Sequence, residues 1–282
     1  MTLQEDRKNN FNNLFQPPWK SQMLKTADFA YYSDLSCRAG DKTRARISYI
    51  RAIKERPDEG YINFKFARFL ADQKKYDEAE FRYKKASIMM PEMISVYNEW
   101  GLMLDRQGKL EGQEELFRKT IELEPGFVEG LCNLGAVLTE KGRFEEARAL
   151  FERALEKRPA NPNCNNNLGS LYLILGKYDD AVEKFQKTIE LSQSYYLPFL
   201  NLSLVYGCMG KDTEANESYQ KGREFIEKCP GKKEWILREY KRLLGSAREN
   251  LLKEENENDD EKRNHNERFS KALEDIVFLL EC

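Results

Sequence analysis

The chain repeats itself every 34 residues, and this period restricts the fold more than any other feature of the sequence. The stretches that begin at Val128 and Pro162 align without a gap, with Gly135 above Gly169. The same frame extends to six repeats that begin at Thr26, Gly60, Ile94, Val128, Pro162 and Tyr196. A period of this length is typical of stacked supersecondary units. We number the repeats 1 to 6 and expect them to span residues 26–229.

Three positions of the repeat keep one type of side chain. The eighth is small: Ser33, Ala67, Gly101, Gly135, Gly169 and Ser203. The twentieth is alanine except in repeat 3: Ala45, Ala79, Gln113, Ala147, Ala181 and Ala215. The twenty-fourth is aromatic: Tyr49, Tyr83, Phe117, Phe151, Phe185 and Tyr219. Helices approach closely where side chains are small, and a ring fills the wedge beside the contact. These positions therefore predict the crossing point of two paired helices.

Glycines and prolines predict where the helices end. The fifteenth position is Lys74 in repeat 2 and glycine in the others: Gly40, Gly108, Gly142, Gly176 and Gly210. Glycine after a helix suits the left-handed conformation that ends it. Four prolines stand where second helices should stop, because proline cannot continue a helix: Pro57, Pro91, Pro125 and Pro159. Each repeat is therefore predicted to be a helix–turn–helix.

This pattern resembles the tetratricopeptide repeat. Repeat 4 carries the whole signature in Leu131, Leu134, Gly135, Leu138, Ala147, Phe151, Ala154 and Pro159, and repeat 3 carries Tyr97, Trp100, Gly101, Phe117 and Pro125. Repeat 6 departs from the signature at Asp212 and Glu227, and repeat 5 departs at Gln193. The resemblance covers Thr26 to about Cys229 and implies an all-α fold, a right-handed superhelical α-solenoid of helix–turn–helix repeats.

The segments outside the repeats are predicted to differ in kind. Residues 1–25 read as a polar tail that extends the first helix or acts as a short linear motif. Residues 230–253 carry one apolar stripe and predict a helix that caps repeat 6. Residues 254–268 read as a flexible acidic linker, and residues 269–282 as a short amphipathic helix. Because such a helix is marginal alone in water, it needs a docking place: its own groove, the convex face, a second copy or a partner.

The residues favour no catalytic, cofactor or metal site. The only histidine, His265, falls in the predicted linker, which argues against nucleophilic catalysis that uses histidine. The six cysteines show no zinc-site spacing, and the glycines form no phosphate-binding loop. A net charge of −2 gives no reason to expect a nucleic-acid partner. Without a membrane-spanning stretch or a secretory signal, the sequence predicts a cytoplasmic protein that is not an enzyme.

The resemblance implies that a protein or peptide partner binds on a concave groove lined by the first helix of each repeat. Asn133, Asn167 and Asn201 share the sixth position and predict a ladder of amides, unless these amides are simply solvated. Asparagine ladders of this kind occur in the repeat domain of O-linked N-acetylglucosamine transferase and in the peroxisomal import receptor. Other expected groove residues are Asn163, Asn166, Ser170, Leu173, Leu197, Leu200, Leu204, Asn98, Glu129, Lys65 and Arg68.

Three functions remain open at this point. Some family members bind chaperone tails through a clamp of lysine, arginine and asparagine, but repeats 3 to 5 have Asn98, Leu102, Asn133, Asn163 and Asn167 at the clamp positions, with no cation. The leading interpretation is therefore an adaptor that holds some other peptide or helix of a partner in the groove. The alternatives are a structural subunit that uses convex and terminal surfaces, and a regulatory subunit of an enzyme complex.

Overall fold

The computed structural model describes residues 41–192, 196–228, 233–234, 236–238, 240–241 and 260–281, with side chains from residue 263 in the last range. The predicted tail, the first helix of repeat 1, most of the predicted cap and the start of the predicted linker lie outside these residues. All regular elements in the described part are α-helices, so the fold is the predicted all-α solenoid of helix–turn–helix repeats. None of these helices is long and apolar enough to cross a membrane.

The chain divides into two compact units, residues 1–112 and residues 113–282. The described helices of the N-terminal unit are α1 (Lys42–Glu55), α2 (Gly60–Asp72), α3 (Tyr76–Met89) and α4 (Ile94–Arg106). Those of the C-terminal unit are α5 (Gln113–Leu123), α6 (Val128–Glu140), α7 (Phe144–Lys157), α8 (Pro162–Ile174), α9 (Tyr178–Leu191), α10 (Leu197–Cys208), α11 (Asp212–Glu227) and α12 (Asp260–Glu281). Helices α2, α4, α6, α8 and α10 are the first helices of repeats 2 to 6.

The turn after each first helix has the same geometry. The glycine at the fifteenth position has a φ of 73° at Gly142 and 71° at Gly176, and Lys74 adopts 58° at the same place. In repeat 4 the Gly142 N–H donates to the Thr139 carbonyl, and the Arg143 N–H donates to the Leu138 carbonyl. These two bonds satisfy carbonyls that the helix end leaves unpaired. The prediction of a left-handed residue at this position is confirmed at the described turns.

The small eighth residue and the aromatic twenty-fourth residue meet where paired helices cross. A methyl group added at Gly135 would lie 2.6 Å from Cε1 of Phe151, and one added at Gly169 would lie 2.8 Å from Cε1 of Phe185. Both rings are completely buried. The close approach of α6 to α7 and of α8 to α9 therefore depends on the missing side chain, as the repeat pattern predicts.

Repeat 3 departs from the common geometry in its second helix. The helices α3, α7, α9 and α11 begin at the seventeenth position of their repeats, but α5 begins at Gln113, the twentieth position. The residue before it, Gly112, has a φ of 83°, which belongs to a turn and not to a helix. Gln113 itself is buried at the position that alanine holds elsewhere. The boundary between the two compact units falls at this turn.

The last described helix begins earlier than the sequence indicates. Helix α12 starts at Asp260, so residues 260–268 are helical and not the flexible linker expected there. His265 holds this stretch against α9, because its ring lies beside that of Tyr178. Helix α12 packs against α10, and Leu273, Ile276 and Leu280 join the core of the C-terminal unit.

Candidate functional site

The amides at the sixth position lie on neighbouring first helices of the C-terminal unit. Helix α6 carries Asn133, helix α8 carries Asn167, and α6 contacts α8. Both side chains are half-buried, while Asn163 at the start of α8 is exposed. The structure thus places three of the expected asparagines on adjoining helices with part of their surface accessible to solvent.

Two more of the expected asparagines, Asn166 and Asn201, are joined by hydrogen bonds to residues of the chain itself. The Asn201 amide donates to Asn166 Oδ1 at 3.3 Å, and the Tyr240 hydroxyl donates to Asn201 Oδ1 at 3.0 Å. Asn166 and Tyr240 are both buried. Asn201, the third asparagine of the predicted ladder, is therefore hydrogen-bonded to Tyr240 of the same chain. Tyr240 lies in the segment predicted to cap repeat 6.

The apolar end of the predicted groove is covered by the chain itself. Leu173, Leu200 and Leu204 are each at most 3% exposed and belong to one core with Ile236 and Leu273. Leu197 is half-buried against the same core. These leucines are core residues in this conformation and not an open apolar wall, because they share one core with residues of α12 and with Ile236 and Tyr240.

Two further expected residues are bonded to their surroundings. The Ser170 hydroxyl donates to the Asn166 carbonyl one turn earlier at 3.1 Å. Glu129 on α6 accepts from Arg158 Nη1 at 2.6 Å, just past the end of α7. Both side chains of this ion pair are about half exposed, at 45% and 55%, so the pair is accessible to a partner.

The first helices of the N-terminal unit present charges in place of amides. Arg68 Nε lies 2.7 Å from Glu99 Oε2, and Arg106 Nη1 lies 3.3 Å from Asp72 Oδ1. These two ion pairs join α2 to α4 and line a cavity of about 240 Å³, with Asn98 on its wall. Lys65 lies outside this cavity, 5.8 Å above the ring of the exposed Tyr61. The expected residues Arg68 and Asn98 thus line one cavity, and the expected Lys65 does not.

Burial changes the acid–base properties of this charged cavity. Desolvation raises the pKa of Glu99 above its ordinary value, although Arg68 and Arg106 act in the opposite direction. The Tyr83 hydroxyl beside it also has a raised pKa, chiefly because of burial. The cavity therefore brings together two cationic and two anionic side chains, and burial opposes the ionisation of Glu99.

Two asparagines with structural roles were not predicted from the repeat. Asn63 and Asn165 occupy the fourth position of repeats 2 and 5, and each is buried. The Asn165 amide donates to the carbonyls of Pro159 and Asn161, and the Asn63 amide donates to those of Pro57 and Glu59. Each side chain ties the preceding loop to its first helix. Their shared position in the 34-residue frame could have indicated this role.

The described part of the chain contains no group of three or more histidine, cysteine or acidic side chains arranged to hold a metal ion. Cys132, Cys164 and Cys208 are buried free thiols. Burial raises the pKa of Cys208 to about 12, so this thiol is protonated at neutral pH.

Comparison with known proteins identifies the family. Residues 68–225 match the family model described as the cilia and flagella-associated protein 70 middle TPR-like domain, more than half of the 282 residues. The chain belongs to this family. A middle TPR-like domain consists of tetratricopeptide-type helical repeats, a fold typical of protein–protein interaction scaffolds. The predicted resemblance is thereby confirmed. None of the curated proteins compared with the chain matches it.

Solved structures show the same fold at low sequence identity. PilW, a widely conserved type IV pilus biogenesis factor, is 20% identical with a TM-score of 0.63, over 71% of this chain and 93% of that one. PilF of Pseudomonas aeruginosa is 16% identical with a TM-score of 0.60, over 73% and 93% of the two chains. A chain of the APC/C heterotetramer Cut9–Hcn1 is 20% identical with a TM-score of 0.62, over 71% of this chain and 40% of that one. These likenesses extend to the fold alone.

Proposed function

We propose that this middle TPR-like chain is a non-enzymatic adaptor that holds an extended segment of a partner protein on α6 and α8. The observation that carries the proposal is the placement of Asn133, Asn163 and Asn167 on adjoining first helices with part of each residue exposed to solvent. The family fold supports a role in protein–protein interaction. The buried leucines of repeat 6 and the hydrogen-bonded Asn201 support a position of the partner on repeats 4 and 5 rather than beyond them.

The amide side chain suits this task chemically. Each asparagine offers two N–H donors and one carbonyl acceptor, which match the N–H and C=O groups along an extended backbone. Recognition of this kind depends little on the partner's side chains. The Glu129–Arg158 ion pair lies at the edge of the same helices. In this proposal it distinguishes partner segments by the charge of their side chains. In this proposal the chain acts in the cytoplasm, needs no cofactor and leaves any chemistry to its partner.

The test uses the full chain as the target for selection from a random displayed peptide library. Selected peptides should bind the Asn133→Ala/Asn167→Ala variant at least about tenfold more weakly, because hydrogen bonds of about 1 kcal/mol each are lost. Binding is measured by fluorescence anisotropy, and circular dichroism checks that the variant is folded.

Gln186→Ala is the matched control, since Gln186 is an exposed amide on a second helix. Its affinity for the selected peptides should equal that of the parent chain. Failure to select any peptide, or equal affinity of the double asparagine variant, contradicts the proposal.

A second candidate function is a structural subunit of a larger assembly. The second helices of the N-terminal unit expose apolar side chains: Ile47 is 45%, Ile50 48%, Phe81 54% and Ile88 68% exposed. These exposed apolar side chains support a protein contact on α1 and α3, and the family takes its name from a cilia and flagella-associated protein. A Phe81→Ser/Ile88→Ser variant should then no longer assemble into the larger complex. In a density gradient of cell extract it should sediment more slowly than the parent chain. A regulatory subunit of an enzyme complex stays a third proposal, tested by mixing with the partner enzyme once it is identified.

A further inference from the structure

The end of the repeat array differs from its interior at one repeated position. The twentieth residues Ala45, Ala79, Ala147 and Ala181 are all completely buried. Ala215, at the same position of repeat 6, is only half-buried. Helix α12 packs on α10, while the surface of α11 around Ala215 remains partly open. Repeat 6 therefore keeps an accessible part of a face that the earlier repeats bury.

This opening is a cavity of about 320 Å³ between α10, α11 and α12. Ala215 and Tyr219 form one wall, and Ile276, Phe278 and Leu279 of α12 form the other. The volume is near the lower end of the range of about 300–1,000 Å³ that is usual for ligand pockets. It therefore accommodates one or two side chains and not a further helix.

Helix α12 presents an apolar edge next to this cavity. Phe278 is 65% exposed and Leu279 is 36% exposed, although Leu280 beside them is buried in the core. An exposed phenylalanine costs solubility, and apolar surface next to a cavity is typical of a contact site. The edge and the cavity together form one surface, which we call the α12 cleft.

The charge of the α12 cleft is of one sign. Two of its lining residues, Asp212 and Asp275, are acidic, and none is basic. Neither carboxylate has a cationic partner within the described part of the chain. Glu281 at the end of α12 is paired with Lys241 Nζ, so the uncompensated negative charge of the cleft comes from Asp212 and Asp275. The cleft is therefore complementary to a ligand that carries positive charge beside an apolar group.

We propose that the α12 cleft docks a segment of a partner protein in which one large apolar side chain adjoins arginine or lysine. The apolar side chain enters the cavity against Tyr219 and Ile276, and the basic group pairs with Asp212 or Asp275. A second copy of the chain fits poorly, because a symmetric contact would bring the same acidic residues face to face. The site is separate from the amides of α6 and α8, so either proposal can fail without the other.

The experiment measures binding of three fluorescent heptapeptides to the full chain at low ionic strength. One has phenylalanine between two arginines, the second has glutamates in place of the arginines, and the third has alanine in place of phenylalanine. The first peptide should bind at least about tenfold more tightly than the others, and added salt should weaken its binding. Undetectable binding of the first peptide, or equal binding of all three, overturns the proposal.

Variants then locate the binding site. Ala215→Leu fills the cavity, and Asp275→Asn removes one rim charge, so each should weaken binding of the first peptide at least about fivefold. Glu217→Gln is the control, because Glu217 is an exposed acid on α11 that does not line the cavity. Circular dichroism confirms that each variant is folded. Binding unchanged in both cleft variants, or self-association of the chain through the cleft in sedimentation, also overturns the proposal.

Discussion

At the scale of single residues, one missing methyl group sets the distance between paired helices. The Phe151 ring is completely buried and its Cε1 lies 2.6 Å from where a Cβ on Gly135 would stand. Carbon atoms in contact normally lie about 3.5–4.0 Å apart, so the ring or the helix would have to move. The position of the Phe151 ring therefore requires a residue without a side chain at position 135.

The first prediction concerns this pair. Gly135→Ala should lower the free energy of unfolding by about 1–2 kcal/mol, because overpacking of about 1–3 kcal/mol outweighs the gain of up to about 1 kcal/mol in helix propensity. Urea unfolding followed by circular dichroism measures the change. Gly126→Ala is the control, since a methyl group there meets no atom within 4 Å. Equal free energies of unfolding for the two variants would show that the contact with Phe151 does not restrict the size of residue 135.

A second residue-scale feature is the ion-pair network around Glu114 at the start of α5. Its carboxylate accepts from Lys141 Nζ at 2.7 Å, from Arg118 Nε at 2.9 Å and from Arg143 Nη1 at 2.7 Å. These bonds, that with Lys141 foremost, lower the pKa of Glu114 from 4.5 to about 2. A carboxylate with a lowered folded-state pKa stabilises the fold above its ordinary pKa, and this contribution is lost as the pH falls towards 2.

The second prediction follows from that sign. Glu114→Gln should be less stable than the parent chain at pH 7, and the difference should shrink as the pH falls from about 5 towards 2. Urea unfolding at a series of pH values measures it. Glu115→Gln serves as control because Glu115 is exposed on the same helical turn. A stability difference for Glu114→Gln that is constant over this pH range would contradict the role of the ionised carboxylate.

At the scale of elements, α12 is held at two places along its length by different chemistry. Near its beginning, His265 Nε2 lies 3.1 Å from the Ile174 carbonyl, and Nδ1 lies 2.7 Å from the Tyr178 hydroxyl. Since a carbonyl only accepts, Nε2 carries a proton, and in the neutral ring Nδ1 accepts from Tyr178. Further along, Ala272 lies against Gly207, where an added Cβ would be only 3.0 Å from Ala272 Cβ. Cys208, the last residue of α10, is completely buried in the same core as Ala272 and Leu273 of α12.

The third prediction tests the first of these attachments. His265→Ala removes two hydrogen bonds of about 1 kcal/mol each, so local opening of α12 should increase roughly tenfold or more. Alkylation of Cys208, followed by mass spectrometry, should accelerate accordingly. In Glu267→Ala the rate should stay at the parent value, because Glu267 is an exposed residue of the same helix that pairs only with the nearby Arg263. Unchanged alkylation of Cys208 in the histidine variant would show that His265 does not hold the helix.

At the scale of the whole molecule, the two compact units offer different surfaces on equivalent helices. In the N-terminal unit the first helices carry the ion pairs Arg68–Glu99 and Arg106–Asp72. In the C-terminal unit they carry amides, followed by leucines that the chain covers with its own α12. Because the packing residues are nearly the same in every repeat, this difference lies in positions that stacking leaves variable.

The sequence by itself determined the features that recur with the period. The left-handed turns, the paired small and aromatic residues and the prolines past the second helices depend on contacts within a repeat or between neighbours, so a fixed spacing reveals them. The late start of α5 could not be predicted from the period, because it depends on the left-handed conformation of Gly112, which no other repeat shares.

Tertiary structure alone decided which parts of the first-helix surface stay accessible. Tyr240 bonds to Asn201 39 residues away, and His265 bonds to Tyr178 87 residues away. A contact at such separation depends on which apolar faces meet, and four docking places for the last helix were compatible with its amphipathic pattern. Once α12 packs on α10, three predicted groove leucines lie in the core, while Asn133, Asn163 and Asn167 keep part of their surface exposed. The hydrophobic effect determines where α12 docks, because it favours the arrangement that removes the most apolar surface from water.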